Sequence, residues 1–179
     1  MTAICWNTAR ADEDRPASKG IYAEGALGAT TFLGDADAAA EIGPAMAIRV
    51  GYDLFSWFSV GGHLTASTHE ATVPPPPEGE YFQLYTAIAE GRLGFRYGRI
   101  GAFVDGGAGI GMISSNVWSK VGLLEPNESL TLAVRAGGGF EYQLQNRHYA
   151  FGLDGEWSSY AAFENTQSVT VRTFIRYTY

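Results

Sequence analysis

Apolar and polar residues alternate one by one along most of this chain. The closing stretch, SVTVRTFIRYTY, is the clearest case. A strand points successive side chains to opposite faces. One face of this stretch therefore reads Val169, Val171, Thr173, Ile175, Tyr177, Tyr179, and the other Thr170, Arg172, Phe174, Arg176, Thr178. The same period of two predicts strands over 20–33, 45–53, 57–68, 82–96, 100–113, 130–143, 149–159 and 168–179. These eight segments are mostly ten to fourteen residues long. Ordinary strands run to about five or six residues, whereas a tilted strand crossing a bilayer needs about 9–11. Long links alternate with short ones, which is the signature of an up-and-down meander decorated at one end. VPPPPEGE falls in a long link, since consecutive prolines cannot sit inside a sheet. DADAAAEI, in the first link, has room for a short helical turn at most.

Sorting the strands by face separates the charges from the apolar residues. One face carries Glu24, Arg49, Asp53, His63, Glu90, Arg92, Arg96, Asp105, Arg135, Glu141, Asp154, Glu156, Arg172 and Arg176. The opposite face is aliphatic and aromatic. A soluble, lipocalin-like carrier would bury the apolar face, and a membrane barrel would bury the charges. Three features favour charges inside. Aromatic residues of the apolar face gather near strand ends: Tyr52, Phe58, Phe95, Tyr142, Tyr149, Tyr177 and Tyr179 at the short-link end, Tyr85 and Trp157 toward the other. Rings with polar tips suit the two membrane interfaces. The charged face holds seven acids and six arginines and no lysine, and planar guanidinium groups pair with carboxylates in confined space. Its remaining positions are rich in glycine and small residues, as the narrow interior of an eight-stranded barrel requires.

Composition agrees with this reading. Charged residues are 17% of 179 and the net charge is −7, with no basic stripe, so nucleic acid is not an expected partner. Cys5 is the one cysteine and has no internal disulfide partner. Residues 1–19 are polar, lack the basic start and long apolar run of a secretion signal, and read as a flexible N-terminal arm on the periplasmic side. Residues 20–179 then form an all-β, eight-stranded antiparallel up-and-down transmembrane β-barrel.

VRTFIRYTY ends on an aromatic residue with another two positions before it, and RVGYDLFSWFSVGGHL reads strand, tight turn, strand. In these features the chain resembles the small OmpA-like or OmpX-like outer-membrane β-barrels. The resemblance implies the outer membrane of a Gram-negative bacterium and outer-membrane lipid as surroundings. It also implies recognition of the C-terminal strand by the barrel assembly machinery.

Candidate chemistry is sparse. DGGAGIG and RAGGGF contain glycine runs, but a nucleotide loop needs a following helix, and neither run has one. His63 shares its face with Ser59 and Ser67, yet four residues on a strand span about 13 Å, too far for a nucleophile and its base. His69 reads as the start of a loop. A lipid-modifying enzyme is therefore not expected, and neither a metal nor a cofactor is. The near-balance of charge predicts a paired, occluded lumen with a structural or docking role. The alternative is a narrow channel for small polar solutes. Trp118, Val121, Leu123 and Leu124 place apolar side chains on the third long loop, either folded over the barrel mouth or meeting an envelope protein partner.

Overall fold

The computed structural model describes residues 20–72, 79–114, 129–145, 148–163 and 166–179. The N-terminal arm and the loop residues Trp118, Val121, Leu123 and Leu124 lie outside the described residues. Eight strands follow in order: β1 (Ile21–Leu33), β2 (Gly43–Phe55), β3 (Phe58–Glu70), β4 (Tyr81–Tyr97), β5 (Ile100–Ile113), β6 (Leu130–Gln143), β7 (Tyr149–Tyr160) and β8 (Thr166–Thr178). Each pairs antiparallel with its neighbours in sequence, and β1 pairs with β8 to close the barrel. Closure leaves no unpaired sheet edge, which is what permits strands to cross lipid.

The expected limits hold to within two residues at most ends. β4 is longer than expected, at 17 residues, because it continues into the tight turn before β5. That turn is Gly98–Arg99, between the paired residues Tyr97 and Ile100. Gly98 has a φ of 61°, the left-handed value that the first position of a two-residue hairpin turn demands and that glycine adopts without strain. The first long link begins with a six-residue 3-10 helix, Gly34–Ala39.

Burial runs opposite to that of a water-soluble protein. Leu27, Phe95 and Ile175 are 67%, 75% and 63% exposed, while Arg49, Asp154 and Arg172 are at most 2% exposed. The apolar face is therefore outside and the charged face lines the lumen, which excludes the soluble-carrier arrangement. One part of the interior departs from expectation. Toward the long-loop end the lumen is filled by large apolar side chains, among them Phe32, Phe82, Leu84, Ile88, Ile113 and Tyr160. Strands of 12–17 residues exceed what a bilayer crossing needs. Their upper turns have room to build a small hydrophobic core above the charges.

Candidate functional site: the charged lumen and its two ends

The alternation of each strand delivers its charged residues to one enclosed space, and the register sets their heights. Glu24 and Arg49 are direct partners across β1 and β2, and their side chains form an ion pair. Arg49 also reaches Glu90 on β4, Nε to Oε1 at 2.7 Å, and Asp154 on β7, Nη2 to Oδ2 at 3.3 Å. Arg135 on β6 pairs with Glu90 and with Asp105, the latter at 2.7 Å. Arg172 holds Asp154 and Glu156. Arg92 donates to Glu24 at 3.2 Å and lies over the Phe103 ring, 4.0 Å from its centroid. An unpaired charge in so dry a space would cost several kcal/mol. Every guanidinium here has at least one carboxylate.

Gly137 makes room for one of these pairs. A Cβ at this position would lie 2.8 Å from Asp105 Oδ1 and 2.8 Å from the Gly155 carbonyl oxygen. The RAGGGF run thus packs a strand against an ion pair, and it lies within β6 rather than before a helix.

Nearer the short turns the charges are fewer. Arg176 donates to Asp53 at 2.5 Å and lies over the Tyr22 ring, 3.8 Å from its centroid. Arg96 pairs with Glu141 and donates to Gln143 at 3.0 Å. Asp53, Arg96, Glu141 and Arg176, together with Phe55 at the end of β2 and Trp57 of the β2–β3 turn, surround a vestibule of about 50 Å³.

His63 sits among the arginines. Arg135 Nη1 donates to its Nδ1 at 2.6 Å, and Thr65 Oγ1 lies 3.3 Å from its Nε2. It meets neither Ser59 nor Ser67. Ser67 instead bonds His69, with Oγ 2.9 Å from Nε2, while His69 Nδ1 donates to the Glu41 carbonyl at 3.0 Å. His69 belongs to β3 rather than to a loop, and this corrects the sequence reading of His69 as the start of a loop. The i, i+2 spacing on one strand face was the available signal. The pair is enclosed: Ser67 is 4% exposed and His69 1%. The Phe32 and Phe82 rings lie 4.7 Å and 5.4 Å from the imidazole. Among the described residues, no group of three or more His, Cys, Asp or Glu side chains is placed to hold a metal ion.

Outside, the aromatic residues lie where the alternation put them. Tyr149, Tyr177 and Tyr179 form a contiguous cluster, with centroids 4.8 Å and 4.7 Å apart. Tyr52, Phe58, Phe95 and Tyr142 share this end of the wall. Tyr85 and Trp157 stand toward the other, where Trp157 donates to Gln167 at 3.0 Å.

A family profile described as an outer membrane protein beta-barrel domain matches residues 1–175. The chain belongs to this outer-membrane β-barrel family. It is accordingly a protein of the Gram-negative outer membrane, with its outer wall against lipid. Among solved structures it is similar to Neisserial surface protein A, at 11% identity and a TM-score of 0.65, over 89% of this chain and 97% of that one. It is also similar to OprG from Pseudomonas aeruginosa, at 13% identity and a TM-score of 0.53, over 89% and 96%. A third is Ail of Yersinia pestis, at 13% identity and a TM-score of 0.52, over 90% and 97%. At such identities the likeness is one of fold. No curated protein matches the chain by sequence.

Proposed function

We propose that this outer-membrane barrel is a structural or docking element with an occluded lumen, and that it is not an enzyme. The observation that carries this reading is the filling of the interior in two successive layers. Charged side chains from seven of the eight strands interlock at mid-height, with Arg49, Arg135 and Arg172 each holding two or more carboxylates. The apolar layer of Phe32, Phe82, Ile113 and Tyr160 lies above them. Water or a solute would have to break several charge-assisted bonds to pass.

Such a barrel acts through its outer wall, its loops and its ends. The outward rings of Tyr142, Tyr149, Tyr177 and Tyr179 anchor it at the interface, and β8 is the strand the barrel assembly machinery reads. A partner in the envelope would meet the long-loop end. Purified protein in a planar bilayer is expected to be electrically silent. Steady single-channel conductance would overturn occlusion and favour the narrow-channel reading. Extraction in mild detergent tests the docking role: a particle much larger than 19.3 kDa plus detergent supports it, and a monomer-sized particle counts against it.

A further inference from the structure

Arg99 breaks the rule that every other described arginine obeys. Arg49, Arg92, Arg96, Arg135, Arg172 and Arg176 face the lumen, and each is ion-paired. Among the described residues, Arg99 is the one arginine or lysine side chain without a carboxylate partner. It is exposed at the β4–β5 turn, and its carbonyl accepts a bond from Gln143 N at 2.8 Å, which ties the turn to β6. Its side chain borders an open cleft of about 450 Å³ with Tyr142, Leu144 and Gln145.

The surroundings of this cation are those of the bilayer boundary. Tyr97 and Ile100, the pair that flanks its turn, are 85% and 62% exposed. In this family short turns face the periplasm, so the cleft lies at the headgroup level of the inner leaflet. Below it the outer wall forms a gutter. Ala102 on β5 is paired with Phe95 on β4 and Phe140 on β6, and both rings stand exposed on either side of the small residue.

We propose that the cleft seats the phosphodiester of an inner-leaflet glycerophospholipid. Arg99 donates to its phosphate oxygens, and one acyl chain runs over Ala102 between Phe95 and Phe140. A guanidinium fork matches two phosphate oxygens. At the polar–apolar boundary the pairing is less screened than in water, and the gutter adds apolar contact that a free anion lacks.

The test is native mass spectrometry of the intact barrel in detergent, with three probes: phosphatidylglycerol, diacylglycerol of the same chains, and inorganic phosphate. The wild type is expected to retain phosphatidylglycerol. Arg99→Gln should weaken retention at least about tenfold, the loss of a charge-assisted hydrogen bond, and leave diacylglycerol retention unchanged. Ala102→Phe, which fills the gutter, should weaken phosphatidylglycerol retention with Arg99 intact. Both positions are exposed, so heat-modifiable gel migration should match the wild type. If Ala102→Phe does not fold, the Arg99→Gln comparison decides alone. Equal retention of phosphatidylglycerol by wild type and Arg99→Gln would overturn the site. Displacement of the lipid by an equal concentration of inorganic phosphate would overturn the lipid assignment.

Discussion

Arg172 on β8 grips Asp154 on β7 through two parallel bonds, Nε to Oδ1 at 3.1 Å and Nη2 to Oδ2 at 3.2 Å. The two residues are direct partners in the register, and both are almost fully enclosed. Asp154 also meets Arg49, and Arg172 also meets Glu156, so removing one partner costs the two-bond grip and leaves a buried network one charge out of balance. Arg172→Met should therefore destabilise the barrel by about 3–5 kcal/mol. The double change Arg172→Met with Asp154→Leu should cost clearly less than the two single changes added together. Urea unfolding in lipid vesicles measures all three variants. Strict additivity would mean that the pair is not an energetic unit.

Gly137 and Gly155 face opposite sides of the wall and provide a matched test of crowding. A Cβ at Gly137 meets both Asp105 and a backbone carbonyl, whereas one at Gly155 meets nothing within 4 Å. Gly137→Ala should cost about 1–3 kcal/mol, and Gly155→Ala should be near neutral or slightly stabilising. Asp105→Ala should not rescue Gly137→Ala, because the Gly155 carbonyl stays in place. Thermal shifts of the folded gel band rank the variants.

The outer wall predicts the opposite response to charge from that of the lumen. Ile175 is 63% exposed on the lipid face, one residue before the buried Arg176. Ile175→Arg should destabilise the protein by up to about 2–4 kcal/mol in a bilayer, depending on its depth. In a soluble protein an arginine at so exposed a position would be tolerated. Unfolding in vesicles of the variant and the wild type gives the answer.

The Ser67–His69 pair has a serine hydroxyl bonded to an imidazole, as an activated nucleophile would, but both side chains are buried. A fluorophosphonate probe should leave the folded protein unlabelled. Ser67→Ala should cost on the order of 1 kcal/mol of stability, the worth of one buried hydrogen bond. Stoichiometric labelling abolished by Ser67→Ala would make the pair catalytic and sink the non-enzymatic reading.

The period-two alternation already separated Glu24, Arg49, Glu90 and Arg172 from Leu27, Ile48, Leu93 and Ile175. A strand has only two faces, so the sequence alone set which residues share one. The aromatic ending of the chain and the count of eight strands were legible for the same local reason. The sequence could not say which carboxylate meets which guanidinium. Arg49 reaches Asp154 across 105 residues of chain only because closure of β1 on β8 brings β2 and β7 to the same lumen at the same height. Nor did alternation mark the apolar layer, since Phe32, Phe82 and Tyr160 stand on the charged face of their own strands. They become a core only where the stagger of the closed sheet carries several strand ends to one level. The Ser67–His69 bond depends likewise on β3 continuing to Glu70, and that continuation rests on pairing with β4 rather than on local preference. Local periodicity determined the two faces of the wall; ring closure and register decided what each inward side chain touches.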